Sequence, residues 1–159
     1  AGCTRESESV VMAQLNLSEQ FAPTGNRINI NWGSTSASIA IDTSLAIAWL
    51  QLEGAIAVRH IIEVSDAELS HPDFTDGMDT IWDMRQADLR AVTPDAMLEI
   101  LRRVKPRHSR LAKRAAFLVD SDLQFGVIRM WQVYGQDVPQ DREIFRDTDD
   151  ALKWLIESR

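Results

Sequence analysis

The residues best equipped for chemistry are few and scattered. The three histidines, His60, His71 and His108, lie too far apart for an H-x-x-x-H or H-E-x-x-H metal motif. They read as structural or solvated side chains, with His71 of "SHPDF" in a turn. The single cysteine, Cys3, allows neither an intramolecular disulfide nor a thiolate metal cluster. It also lies in a loose N-terminal arm, where a nucleophile is poorly preorganised. No serine sits in a G-x-S-x-G elbow, and neither G-x-G-x-x-G nor G-x-x-x-x-G-K occurs. The carboxylate pairs of "DTDD" and "DSD" fall at expected helix starts, where the helix dipole accounts for them at about 0.3–1 kcal/mol each. No catalytic residue, metal or cofactor is therefore assigned, and the expected function is non-enzymatic.

Two constellations remain. Trp82 and Asp83 stand at the end of an expected strand, where α/β sheets place ligands. With Arg85, Ser121 and Asp122, Trp82 can line a pocket, and the helix starts near Thr93 and Ser121 offer backbone N–H groups to an anion. The second is "RRVKPRHSRLAKR", residues 102 to 114, which contains no acidic residue and holds seven of the chain's 17 lysines and arginines. Arg102 and Arg103 suit the negative end of a helix dipole. Arg107, Arg110 and Lys113 are candidates for an electropositive ledge that meets an acidic protein or a phospholipid surface. No aromatic residue interleaves the cations, so the ledge binds by charge and reads no bases.

Bulk properties narrow the field further. The chain has 159 residues, one domain by length, with 45% hydrophobic and 26% charged residues, as in ordinary globular proteins. A net charge of −7 argues against general nucleic-acid binding, where phosphate neutralisation dominates affinity. No apolar run is long enough to span a bilayer, and the lone cysteine fits a reducing, cytoplasmic setting. The opening "AGC" looks like an arbitrary start rather than the stub of a lipoprotein signal, since no apolar targeting segment accompanies it.

The elements that must position these residues follow from periodicity. Residues 1–36 read as an N-terminal arm. In it "SESVVMAQLNL" suggests a short amphipathic helix, and "RININ" an edge strand or dimer contact. Residues 37–159 read as the domain proper. "ASIAID" and "LAIAWLQL" make a β-hairpin around Thr43 and Ser44. "AIAVRHIIEVSDAELSHPDF" fits strand and helix equally, with Ser65 and Glu68 at capping-box spacing. "DTIWDMR", "RAAFLVDS" and "REIFRDT" read as strands. "TPDAMLEILRRVKP" is a helix with Thr93 as N-cap, Pro94 first, and Met97, Leu98, Leu101 and Val104 as its apolar face. "DLQFGVIRMWQVYG" and "DTDDALKWLIES" are further helices, the last turning Ala151, Trp154 and Leu155 inward. The order predicts an α/β fold with one mixed, mainly parallel sheet, an N-terminal β-hairpin and about four helices.

"HPDF", "GMDTIWDMRQADL", "RAAFLVDSDLQFGVIRMW" and "EIFRDTDDALKWL" together resemble the SpoIIAA-like, or STAS-like, bacterial domain family over roughly residues 39 to 156. The resemblance implies a helix for the ambiguous segment. It also implies kinship with anti-sigma-factor antagonists and a fold similar to CRAL-TRIO lipid-binding domains. Regulatory members carry a phosphorylated serine in a D-S-S-G motif at a helix start. The corresponding place here, "AVTPDAM", has Thr93 but no glycine or paired serine, so Thr93 reads as a helix cap. The expected function is a regulatory or protein-interaction module, with a carrier of a small apolar or lipid-like ligand as the alternative. Self-association into a homodimer through the arm is a further expectation.

Overall fold

A computed structural model describes residues 17–157. The expected helix around Val10–Leu15, and Cys3, lie outside the described residues. Strict alternation in "ININW" makes Ile28–Trp32 an edge strand, β1, whose Ile28, Ile30 and Trp32 turn toward the core while Asn29 and Asn31 face out. It pairs antiparallel with β2 (Thr35–Asp42), which pairs antiparallel with β3 (Ile47–Ala55). Residues 28–36, assigned to the arm above, are thus integral to the sheet. A bulge interrupts β3 between Gln51 and Glu53. Just beyond it Gly54 has φ +89°, and a Cβ there would come within 2.6 Å of the Ser34 carbonyl oxygen.

The remaining strands, β4 (Asp79–Asp88), β5 (Arg114–Leu118) and β6 (Asp141–Phe145), add in sequence order, each parallel to the last. The crossovers are α2 (Val58–Leu69), α3 (Pro94–Val104) and α4 (Asp122–Tyr134). Each moves one strand further in the same direction, so their common hand puts all three helices on one face. After β6 the chain turns back, and α5 (Thr148–Glu157) covers the other face beside the single-turn α1 (Leu17–Gln20). No helix among the described residues is long and apolar enough to cross a membrane.

The two-residue period of the strands feeds two cores. Ile39, Ile41, Leu50, Leu52, Met84, Ala115 and Phe117 pack beneath α2–α4. Ile47, Ile81, Ala116 and Leu118 meet Ala151, Leu152 and Leu155 of α5. The fold is the expected mixed, mainly parallel α/β sheet with its hairpin and four helices of ten residues or more.

Capping chemistry fixes the helix starts. Thr93 accepts a hydrogen bond from Ala96 N–H at 3.2 Å, and Pro94 follows at the first position. Ser121 and Gln124 form a reciprocal capping box.

Two details correct the expectations. The ambiguous segment is helical from Val58, so Ser65 and Glu68 lie inside α2 and cap nothing. In α3, Leu98 is exposed and Ile100 is buried instead. Met97, Ile100 and Leu101 share one stripe, and Leu98 sits about a quarter-turn off it.

Candidate functional site

Alternation along β4 decides where the first constellation goes. Trp82 and Met84 point beneath α2–α4, while Asp83 points to the opposite face. The Asp83 carboxylate is gripped by Arg85, Nε to Oδ1 at 2.9 Å and Nη2 to Oδ2 at 2.8 Å, and Trp49 Nε1 lies 3.4 Å from Oδ2. That hydrogen bonding is the main cause that raises the Arg85 pKa above its ordinary value. The structure therefore does not bring Trp82 and Arg85 to one pocket. Arg85 does lie near the start of α4, because Gln124 Nε2 donates to the Arg85 and Ala87 carbonyls at 3.3 and 2.9 Å. Ser121 Oγ is engaged by Gln124 N–H, and the exposed Asp122 carboxylate pairs with Arg146 at 2.9 Å. Asp120 N–H and Ser121 N–H both donate to Gln124 Oε1. Thr93 caps α3 separately.

The basic stretch divides in two. Its loop half is stitched to the end of α2, to the loop that follows it and to the loop after α4. Arg107 pairs with Asp66, Arg110 donates to Asp76 and to the Leu69 carbonyl, and Lys105 reaches Asp137 at 3.4 Å. The Lys113 side chain lies along Gly77. Its helical half is different: Arg102 and Arg103 are exposed and make no ion pair among the described residues. They flank an apolar surface. Among the described residues, the large hydrophobic side chains that remain exposed are Leu98 on α3 and Leu123, Phe125, Val133 and Tyr134 on α4, between 39% and 56%. All five sit on two adjacent helices. Asp95 stands in the first turn of α3, Glu99 at its middle and the two arginines in its last turn.

Beneath these helices lies a cavity of about 80 Å³. Trp82, Met84, Phe117, Ile128 and Trp131 give it an apolar wall, and Ser65, Glu68, Thr80 and Gln140 are its polar contributors. Glu68 is 3% exposed. Thr80 Oγ1 donates to Glu68 Oε2 at 3.3 Å, and the carboxyl has no other hydrogen-bond partner among the described residues. Burial pushes its pKa up to about 8, against a smaller opposing pull from the Thr80 hydroxyl. It is thus largely protonated at neutral pH. Glu68 went unnoticed in the sequence because the capping-box spacing put it at an exposed helix start. The signal was there: with α2 beginning at Val58, Glu68 falls one turn after the buried Val64 and two turns after Ile61.

His60 and His71 are buried within the fold, and His108 is exposed. His60 Nδ1 accepts from Ala57 N–H at 3.0 Å, and its ring lies 4.6 Å from Trp32. Its pKa is lowered, chiefly by burial and then by Arg59, with Glu63 opposing. His71 Nδ1 accepts from Asp73 N–H at 3.0 Å. Among the described residues no three His, Cys, Asp or Glu side chains converge to hold a metal ion.

No family model matches the chain, and no curated protein is similar to it. A solved structure is similar: an uncharacterised protein of the DUF3478 family from Shewanella loihica PV-4, described as having a SpoIIAA-like fold. The likeness has a TM-score of 0.50 at 19% identity, over 79% of this chain and 97% of that one. At that identity it bears on the fold alone, and it lends no support to the expected similarity to CRAL-TRIO domains. The chain is an α/β domain of SpoIIAA-like fold.

Proposed function

We propose that the protein is a non-enzymatic interaction module that docks a different protein on the outer face of α3 and α4. One observation carries this: all the exposed large apolar side chains among the described residues sit on those two helices. Single exposed hydrophobics are normal on any surface, but their concentration on two adjacent helices supports a contact site there. Charge refines the partner. The first turn of α3 presents Asp95, its middle Glu99, and its last turn Arg102 and Arg103. A fitting partner has an apolar centre between a basic and an acidic patch.

The ledge of Arg107, Arg110 and Lys113 is a weaker docking surface, because both arginines are already engaged within the chain. The net charge of −7 sets two copies against one another at long range, which favours a heterologous partner over a homodimer.

The test is a double substitution, Leu123→Asp with Val133→Asp, compared with wild type by quantitative affinity purification from the source cells and by light scattering. Both positions are half-exposed, so the fold should survive. A heterologous protein held by wild type and lost by the variant is the expected result. Identical retained proteins for both forms, or a face occupied only by a second copy, would overturn it.

A further inference from the structure

We propose that the cavity between β4 and helices α2, α3 and α4 is a binding site for a small uncharged apolar molecule bearing one hydroxyl or carbonyl oxygen, with Glu68 as its polar anchor. This site is independent of the α3–α4 outer face.

The size follows from the geometry. A water-sized group needs about 10–15 Å³ of such space, so the cavity of about 80 Å³ takes roughly five to eight non-hydrogen atoms. The wall of Trp82, Met84, Phe117, Ile128 and Trp131 has little to offer water and much to offer an apolar skeleton.

The polar end specifies the rest. A leucine at position 68 would continue the buried stripe of α2 without desolvation cost, whereas a carboxyl there costs stability unless it is hydrogen-bonded. Thr80 reaches Oε2 alone, at 3.3 Å. The Glu68 carboxyl therefore has hydrogen-bonding capacity to spare in a mostly apolar space, where Ser65, Thr80 and Gln140 are the other polar lining residues. Protonated, it donates O–H to an oxygen of the ligand. No lysine, arginine or histidine lines the cavity, so a carboxylate ligand would find no countercharge. An ammonium ligand would force a buried ion pair, with both desolvation costs. An uncharged ligand incurs neither.

The experiment uses the full chain at pH 6.5 with four probes: 2-hexanone, n-hexane, hexanoate and hexylamine. Binding is read by calorimetry and by the indole N–H signals of Trp82 and Trp131, which belong to the cavity wall. We expect saturable binding of 2-hexanone, about tenfold tighter than hexane, with hexanoate and hexylamine weaker than 2-hexanone. Glu68→Gln, whose amide N–H can donate in place of the acid, should keep that preference. Glu68→Leu should reduce it to parity while the circular dichroism spectrum stays unchanged. The proposal fails if no probe shifts the two indoles, if wild type treats hexane and 2-hexanone alike, if hexanoate or hexylamine binds tightest, or if Glu68→Leu retains the full preference.

Discussion

The guanidinium of Arg110 bridges two elements: its Nε donates to Asp76 Oδ1 at 2.8 Å and its Nη2 to the Leu69 carbonyl at 2.9 Å. Leu69 is the last residue of α2, so Arg110 satisfies a carbonyl that the helix leaves unpaired. With Arg107 on Asp66, it ties the connection after α3 to the end of α2. The most basic segment of the chain thus serves as a strap over the base of the helical layer.

Cutting that strap should loosen a defined place. Arg110→Ala removes one partly exposed ion pair and one carbonyl contact, so we expect a loss of about 1–2 kcal/mol in urea unfolding. Hydrogen exchange should quicken in residues 105–113 and at the end of α2, and not in β2 or β3. Uniform acceleration across the sheet would show that the residue acts on global stability instead.

Glu68 should make stability depend on pH in a particular direction. Its folded pKa of about 8 stands above the ordinary 4.5, so the folded state holds the proton more firmly. Its contribution is fully present below pH 4.5 and is lost as pH rises to about 8. Wild type should therefore lose stability relative to Glu68→Gln between pH 5 and 8.5. Taking the difference between the two proteins cancels the opposite slope of His60, whose lowered pKa costs stability on acidification. A difference that stays constant with pH would mean that the Glu68 carboxyl is solvated.

Gln124 should matter more than the cap residue it accompanies. Its amide receives Asp120 N–H and Ser121 N–H and donates to the Arg85 and Ala87 carbonyls, joining the start of α4 to the end of β4. Gln124→Ala strands the buried Ala87 carbonyl and three partly buried backbone groups and should cost about 2–4 kcal/mol. Ser121→Ala, which loses one partly buried cap bond, should cost about 1 kcal/mol. Thermal or urea unfolding ranks the two, and an inverted ranking would contradict the bridge.

Much of the fold was legible because it rests on local signals. Thr93–Pro94 announces α3, the alternation of "RININ" announces β1, and "HPDF" marks the turn into β4. The candidate site was harder to see, for reasons that particular residues make plain. Trp82 and Arg85 are three apart on a strand, so the pleat sends them to opposite faces, which a grouping by sequence proximity ignores. Arg107 and Arg110 look free in one dimension, but Asp66 and Asp76 lie 41 and 34 residues away. Glu68 became visible as a core position only once α2 was known to start at Val58. Leu98 and Val133 look like core residues by type, and only the packing of α3 beside α4 shows that they face outward.

The claim that α3 and α4 form the docking face is tested most directly by a photo-crosslinking amino acid placed at Val133, compared in cells with one at Lys153, exposed on α5. We expect a discrete crosslinked heterologous protein from position 133 that disappears with Leu123→Asp, and none from position 153. The same adduct from both positions, or none from position 133, would contradict it.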